Sequence, residues 1–117
     1  MSIKTKNTIG WVLAVLLALA FLMAGGGKLS GQEEMIQNFE KWGLSVTMMY
    51  AIGVAEILGA IGLLVKPTRF LAALGLMALM AGAIGTHLLN AEQFIPPLVL
   101  LILLGVLGWL RKPISNK

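Results

Sequence analysis

Residues 46–65 read VTMMYAIGVAEILGAIGLLV. The run is about as long as a helix must be to cross the hydrocarbon core of a bilayer. A single ionisable residue, Glu56, interrupts it near the middle. A carboxylate at that depth costs a few kcal/mol or more, so it is expected to be partnered or functional. Residues three and four positions away share its helix face. Here these are Ile52, Gly53, Gly59 and Ala60, and all but Ile52 are small. Small residues let a second backbone come close, so Glu56 is expected to face a helix–helix seam and not lipid. Burial disfavours the charged form of a carboxyl, so the group is expected to be neutral or hydrogen-bonded. Two readings stand side by side: a structural tie between helices, or a group that handles protons or faces a ligand.

The rest of the 117-residue chain has the same character. Its apolar fraction is 58%, its charged fraction 12% and its mean hydropathy +0.90. Soluble domains run at about 45–50% apolar and about 25% charged, so this is an integral membrane protein of one domain, 1–117. The net charge of +4 does not indicate nucleic-acid binding. The Lys and Arg residues sit mostly in connections and tails, where they set topology. The absence of cysteine removes disulfides, thiolate metal sites and thiol redox chemistry. One His and five Glu argue against a transition-metal site. The motifs of nucleotide loops, dinucleotide folds, zinc proteases and serine hydrolases are lacking.

Before the central span, a polar leader with Lys4 and Lys6 precedes an apolar run over about 9–25. A basic leader before an apolar core also describes a signal peptide. The length of this run and the spans that follow favour a first membrane span, with Trp11 at its interfacial edge. AGGGKLSG (24–31) then places three glycines before Lys28. Such a triplet is expected to end the helix or to admit a close neighbour. Ser30-Gly31-Gln32-Glu33 reads as a capping box opening a short amphipathic helix over about 31–42. Met35, Ile36, Phe39 and Trp42 fall on its apolar face, and Gly43 closes it. That helix is expected to lie in the interface or fold onto the bundle.

After the central span, Lys66-Pro67-Thr68-Arg69 makes a basic turn. A third span follows over about 70–89, with Gly75, Ala78, Gly82 and Gly85 as a small-residue stripe suited to close packing. Thr86 and His87 lie at its far end. A turn with Glu92 leads to Pro96 and Pro97, which fit the first turn of a helix. The fourth span, about 97–110, is apolar and short, ends near Trp109 and is followed by Arg111-Lys112-Pro113. The expected fold is therefore all-α: a polytopic bundle of four transmembrane helices with an amphipathic helix between spans one and two. With the N-terminus inside, Lys4, Lys6, Lys66, Arg69, Arg111, Lys112 and Lys117 are all cytoplasmic. Lys28 and Lys41 lie outside with Glu33, Glu34, Glu40 and Glu92. The positive-inside rule thus favours a cell-membrane protein with both termini in the cytoplasm.

Lys28, Glu56, His87 and Glu92 are the ionisable groups within or bordering the spans. By rise alone, Lys28 and His87 sit roughly 12–15 Å above Glu56. A direct ion pair would need helix tilt, a break at the glycines or an inward-reaching Lys28. Tyr50, Thr47 and Thr86 are the intermediate hydrogen-bonders, and a polar shaft closed by Glu56 is the hypothesis. The bland readings are a snorkelling Lys28, a solvated or capping His87 and methionines that merely pack.

The order AGGGKLSG, KWGLS, YAIGVAEILGAIGLL, basic turn and GTHLL resembles the DoxX-like family of small four-helix membrane proteins. The G-x-x-K-L element corresponds to Gly25–Leu29, the E-x-x-G element to Glu56–Gly59, and the histidine near the end of the third span to His87. The resemblance covers about 9–110. Some relatives are membrane subunits of a thiosulfate:quinone oxidoreductase, others belong to thiol or oxidative-stress complexes, and eukaryotic relatives assist receptor assembly. Without cysteines, this chain has no thiol exchange of its own. As an oxidoreductase it would be a quinone-facing or anchoring subunit, so whether it is an enzyme stays open.

The leading expectation is an accessory membrane protein that binds a quinone-like or lipid-like molecule, or a membrane partner, in a cleft between spans one, two and three. Lys28, Glu56, His87, Tyr50 and Thr86 would be its polar side chains, with no metal and with quinone as the candidate cofactor. The alternatives are a subunit of a quinone-linked oxidoreductase in which Glu56 or His87 relays protons, and an assembly factor for other membrane proteins. The surroundings are the lipid bilayer and, as candidates, a membrane protein or a second copy, but not nucleic acid.

Overall fold

A computed structural model describes residues 2–111. Lys112, Pro113 and Lys117, read above as a helix stop and as topology signals, lie outside the described residues. Among the described residues there are five α-helices and no strand: α1 Ile3–Leu29, α2 Glu33–Lys41, α3 Val46–Leu64, α4 Arg69–Leu89 and α5 Ile95–Arg111. The four longer helices close a ring in the order α1, α3, α4, α5, with α1 packed most extensively on α3 and α4 on α5. The bundle measures 47 × 26 × 22 Å. Three helical stretches, Ile3–Leu29, Val46–Leu64 and Lys66–Leu89, are long and apolar enough to cross a membrane. The apolar helix over Ile95–Leu110 is shorter.

The first helix departs from the sequence reading at both ends. The polar leader is helical, because the Ser2 hydroxyl caps α1 by accepting from the Thr5 amide at 3.1 Å. The glycine triplet does not break the helix, which runs on to Leu29. Gly25 is where α3 comes closest: a Cβ there would stand 2.8 Å from the Gly53 carbonyl oxygen and 2.9 Å from Ile57. The capping box is also absent. The Ser30 hydroxyl donates backward to Gly27 O at 3.0 Å, so it closes α1. The N-cap of α2 is Gln32, without a side-chain hydrogen bond. Competition for one serine decides this: α1 ends only at Leu29, and its last carbonyls take the hydroxyl.

Gly31 and Gly43 bracket α2 with positive φ, +69° and +77°, a conformation that glycine adopts without strain. After Gly43 the amide of Leu44 donates to Phe39 O at 2.8 Å, the long bond of a Schellman ending. The apolar face of α2 turns inward, with Phe39 buried. Its glutamates Glu33, Glu34 and Glu40 are exposed.

At the other end, α3 and α4 are joined by a 3-10 turn over Lys66–Thr68. Thr68 Oγ1 donates to Gly62 O at 2.9 Å. Arg69, read as part of a basic turn, is fully buried. Its Nε donates to Leu63 O at 2.6 Å, and its guanidinium lies 4.1 Å from the centroid of the Trp11 ring. Lys6 stands over Trp109 at 5.6 Å. Both tryptophans thus sit with cations at this end, as residues at a membrane–water boundary do.

Packing is uneven along the bundle. The core, including Leu17, Phe21, Leu63, Leu76, Leu104 and Leu107, fills the half nearer the α3–α4 turn. The small-residue stripe of α4 makes no tight seam. A Cβ at Gly75, Gly82 or Gly85 would meet nothing within 4 Å. The face of α4 that packs instead carries Ala73, Leu76 and Met80. Gly75 and Gly82 lie two residues from Ala73 and Met80, roughly 200° around the helix. The close approach of α3 to α4 comes from Gly59 and Gly62, whose added Cβ atoms would reach Leu76 at 2.6 Å and Ala72 at 2.8 Å.

Candidate functional site

In the half of the bundle toward α2, the helices enclose a cleft of about 680 Å³. Lys28 borders it from α1, Met48, Ile52 and Glu56 from α3, and Ala78, Gly82, Thr86 and His87 from α4. Met35, Asn38 and Phe39 of α2 and Trp42 just after it roof the cleft, and Glu92 and Gln93 close the rim. Most of this lining is apolar. The roof exists because α2 is amphipathic, and the open wall exists because Ala78 and Gly82 have little or no side chain.

At the base, Lys28 Nζ lies 2.9 Å from Glu56 Oε1, with only 13% and 3% of the two side chains exposed. The two side chains form a buried ion pair. The gap expected from helix rise closes for two reasons. Gly25 and Gly53 let the backbones nearly touch, and Lys28 Cβ lies 3.0 Å from where a Gly53 Cβ would be. In addition, helical side chains lean toward their own N-terminus. The helices α1 and α3 run in opposite directions, so Lys28 and Glu56 lean toward each other.

The rim is a second cluster. Glu92, in the turn between α4 and α5, accepts from the Lys41 ammonium. Trp42 Nε1 donates to its Oε1 at 2.8 Å, and His87 Nδ1 lies 3.0 Å from the same oxygen. A carboxylate only accepts, so Nδ1 carries the hydrogen in that bond. Trp42 and His87 also meet edge to face, centroids 5.3 Å apart. The Lys41 hydrogen bond does most to hold the Glu92 carboxyl below the usual carboxylate range. The donors Trp42 and His87 act the same way, against the raising effect of partial burial. The turn places Glu92 here through Ala91, whose φ is +55°, and through the Glu92 amide, which donates to His87 O at 2.8 Å.

Of the side chains singled out in the sequence, Lys28, Glu56, Thr86 and His87 border the cleft. Thr86 spends its hydroxyl hydrogen on Gly82 O at 3.0 Å. Tyr50 stands apart. It is exposed and does not border the cleft. Its hydroxyl lies 3.0 Å from where a Gly31 Cβ would sit. Thr47 is exposed as well and lies outside the lining. Helical geometry accounts for both. Tyr50 is about 240° around α3 from Glu56 and Thr47 about 180°, whereas Ile52 and Met48 follow its face. The sequence reading passed over Asn38, Gln93 and the convergence of Lys41 and Trp42 on Glu92. The opposite charges of Lys41 and Glu92 were visible, but nothing local showed that α2 folds back over the α4–α5 turn. Among the described residues, no group of three or more His or acidic side chains could hold a metal ion.

A family model described as the DoxX-like family matches residues 12–108. The chain belongs to the DoxX-like family. The matched segment of this DoxX-like protein contains every residue of the cleft and both ion clusters. No curated protein and no solved structure matches it.

Proposed function

We propose that this DoxX-like membrane protein binds an amphiphilic small molecule, lipid-like or quinone-like, in the cleft beneath α2. Lys28, Glu56, His87 and Thr86 are the sequence-derived candidates for its polar contacts. The observation that carries this reading is the cleft itself: about 680 Å³, apolar along most of its wall, with a buried ion pair at the base and a polar cluster at the rim. Ligand pockets of about 300–1,000 Å³ commonly have this composition, in which a few polar groups orient a head while apolar walls hold the body. In the same reading α5 is the fourth span. Its 17 residues rise about 25 Å, somewhat less than the ~30 Å hydrocarbon core, a mismatch that local thinning accommodates. Both termini lie on the cytoplasmic face, because Lys4, Lys6, Lys66 and Arg69 share one end and four of the five glutamates share the other.

Native mass spectrometry of the full chain, released gently from the membrane, tests the site. The wild type is expected to carry a bound species. Gly82→Leu fills open space at the cleft wall and is expected to lose that species while keeping its helical spectrum. A wild type without bound species, or a Gly82→Leu variant that keeps its load, overturns the reading.

A further inference from the structure

We infer that the molecule taken up by the cleft has a polar, hydrogen-bonding head group of no net charge. The inference rests on the ligand cleft proposed above and adds the chemical class of its occupant. It follows from how charge is distributed around the cavity. Three fixed charges border the cleft: Lys28, Glu56 and Glu92. Lys28 and Glu56 neutralise each other at 2.9 Å. Glu92 is neutralised from outside the lining by the Lys41 ammonium. The remaining polar side chains of the wall that bear no fixed charge include Asn38, Thr86 and Gln93.

A net charge entering this space would leave water and find no free counter-charge, an expensive transfer. An anion would have to draw Lys28 from Glu56, and a cation would have to draw Glu56 from Lys28. Either move leaves one member of a buried pair alone, which is the costly way to break such a pair. An uncharged head bearing hydroxyl or carbonyl oxygens meets no such penalty. It can exchange hydrogen bonds with the amides of Asn38 and Gln93. Its chain can lie along Met48, Ile52 and Leu79 and leave past Ala78 and Gly82, where the wall is open.

The experiment ranks three probes of one chain length but different head charge: monooleoylglycerol, oleate and oleylamine. They compete at equal mole fraction in the micelle for the full chain, read by native mass spectrometry at one fixed pH. The wild type is expected to bind monooleoylglycerol about tenfold or more tightly than either charged probe, given the cost of an uncompensated buried charge. Glu56→Gln leaves Lys28 without its counter-charge, and oleate is then expected to overtake monooleoylglycerol. Adding Lys28→Met to that variant is expected to restore the neutral preference, an inversion that a purely structural strut would not produce. If a variant fails to fold, the wild-type ranking still decides. Oleate or oleylamine binding the wild type as well as monooleoylglycerol overturns this inference and leaves the cleft a ligand site. A Glu56→Gln protein with the wild-type ranking also overturns it. Binding of none of the three overturns the ligand site and this inference together.

Discussion

The two polar clusters that border the cleft differ in almost every physical respect. Lys28 and Glu56 join two long apolar helices, with 13% and 3% of their side chains exposed. Glu92 joins an amphipathic helix to a turn, and its principal partner, Lys41, is 59% exposed. The first has one contact and little water, the second several contacts and ready access to water. Burial, not the number of bonds, sets what each is worth. A buried pair is costly to leave half made, whereas exposed pairs are screened and contribute little. Leaving the base pair half made is therefore expected to loosen the α1–α3 seam, whereas loss of the rim cluster is expected to affect mainly the docking of α2.

The sharpest way to break this contrast is to remove one member of the base pair. Lys28→Met strands Glu56 in an apolar seam and is expected to cost on the order of 3–5 kcal/mol. Lys28→Met combined with Glu56→Met is expected to cost less than Lys28→Met alone, because an apolar pair of similar volume leaves no orphaned charge. Reversible unfolding in mixed micelles measures both. A double variant as unstable as the single one would show that Glu56 is not held by Lys28.

The next effect in size concerns the contact that brings the pair together. Gly53→Ala sets a methyl 3.0 Å from Lys28 Cβ and 3.1 Å from Gly25 O. Overpacking of this kind costs about 1–3 kcal/mol. Gly82→Ala meets open space and is expected to leave stability unchanged or raise it by up to about 1 kcal/mol, the helix-propensity gain. Side by side in the same unfolding assay, the two substitutions separate a glycine that is pressed from one that merely leaves room.

That distinction explains what could be read from the chain. Span positions were legible, because hydropathy and length alone mark the three long helices. The seam at Glu56 was legible from its small neighbours Gly53 and Ala60, now buried beside it. The role of each glycine was not. Gly25 presses on α3, one of the two outcomes expected of the glycine triplet, while Gly82, read as part of a close-packing stripe, borders a cleft instead. Counting residues placed Lys28 too far from Glu56, because rise along an axis ignores the opposed lean of side chains on antiparallel helices. Tyr50 was within reach of a correction from the sequence, since its angle around α3 already placed it away from Glu56. The rim was beyond local reading: Lys41 and Glu92 lie 51 residues apart, and only tertiary folding of α2 joins them.

The smallest expected effect is at the rim, and it depends on pH. The Glu92 carboxyl is held below its ordinary range, first by Lys41 and then by Trp42 and His87. A carboxyl depressed in the folded protein contributes its full stabilisation above the unfolded pKa and loses it as pH falls through the folded value. The hold on α2 is therefore complete at neutral pH and is released only on the acid side of the ordinary carboxylate range. The Trp42 indole N–H resonance reports this directly, because that hydrogen is donated to Glu92 at 2.8 Å. It is expected to move upfield at acidic pH as the acceptor takes a proton. Glu92→Gln should shift it at neutral pH while leaving global unfolding less affected than Lys28→Met does. If the substitution at the rim instead unfolds the bundle as readily as the one at the base, burial is not what separates the two clusters, and α2 is an integral part of the membrane core.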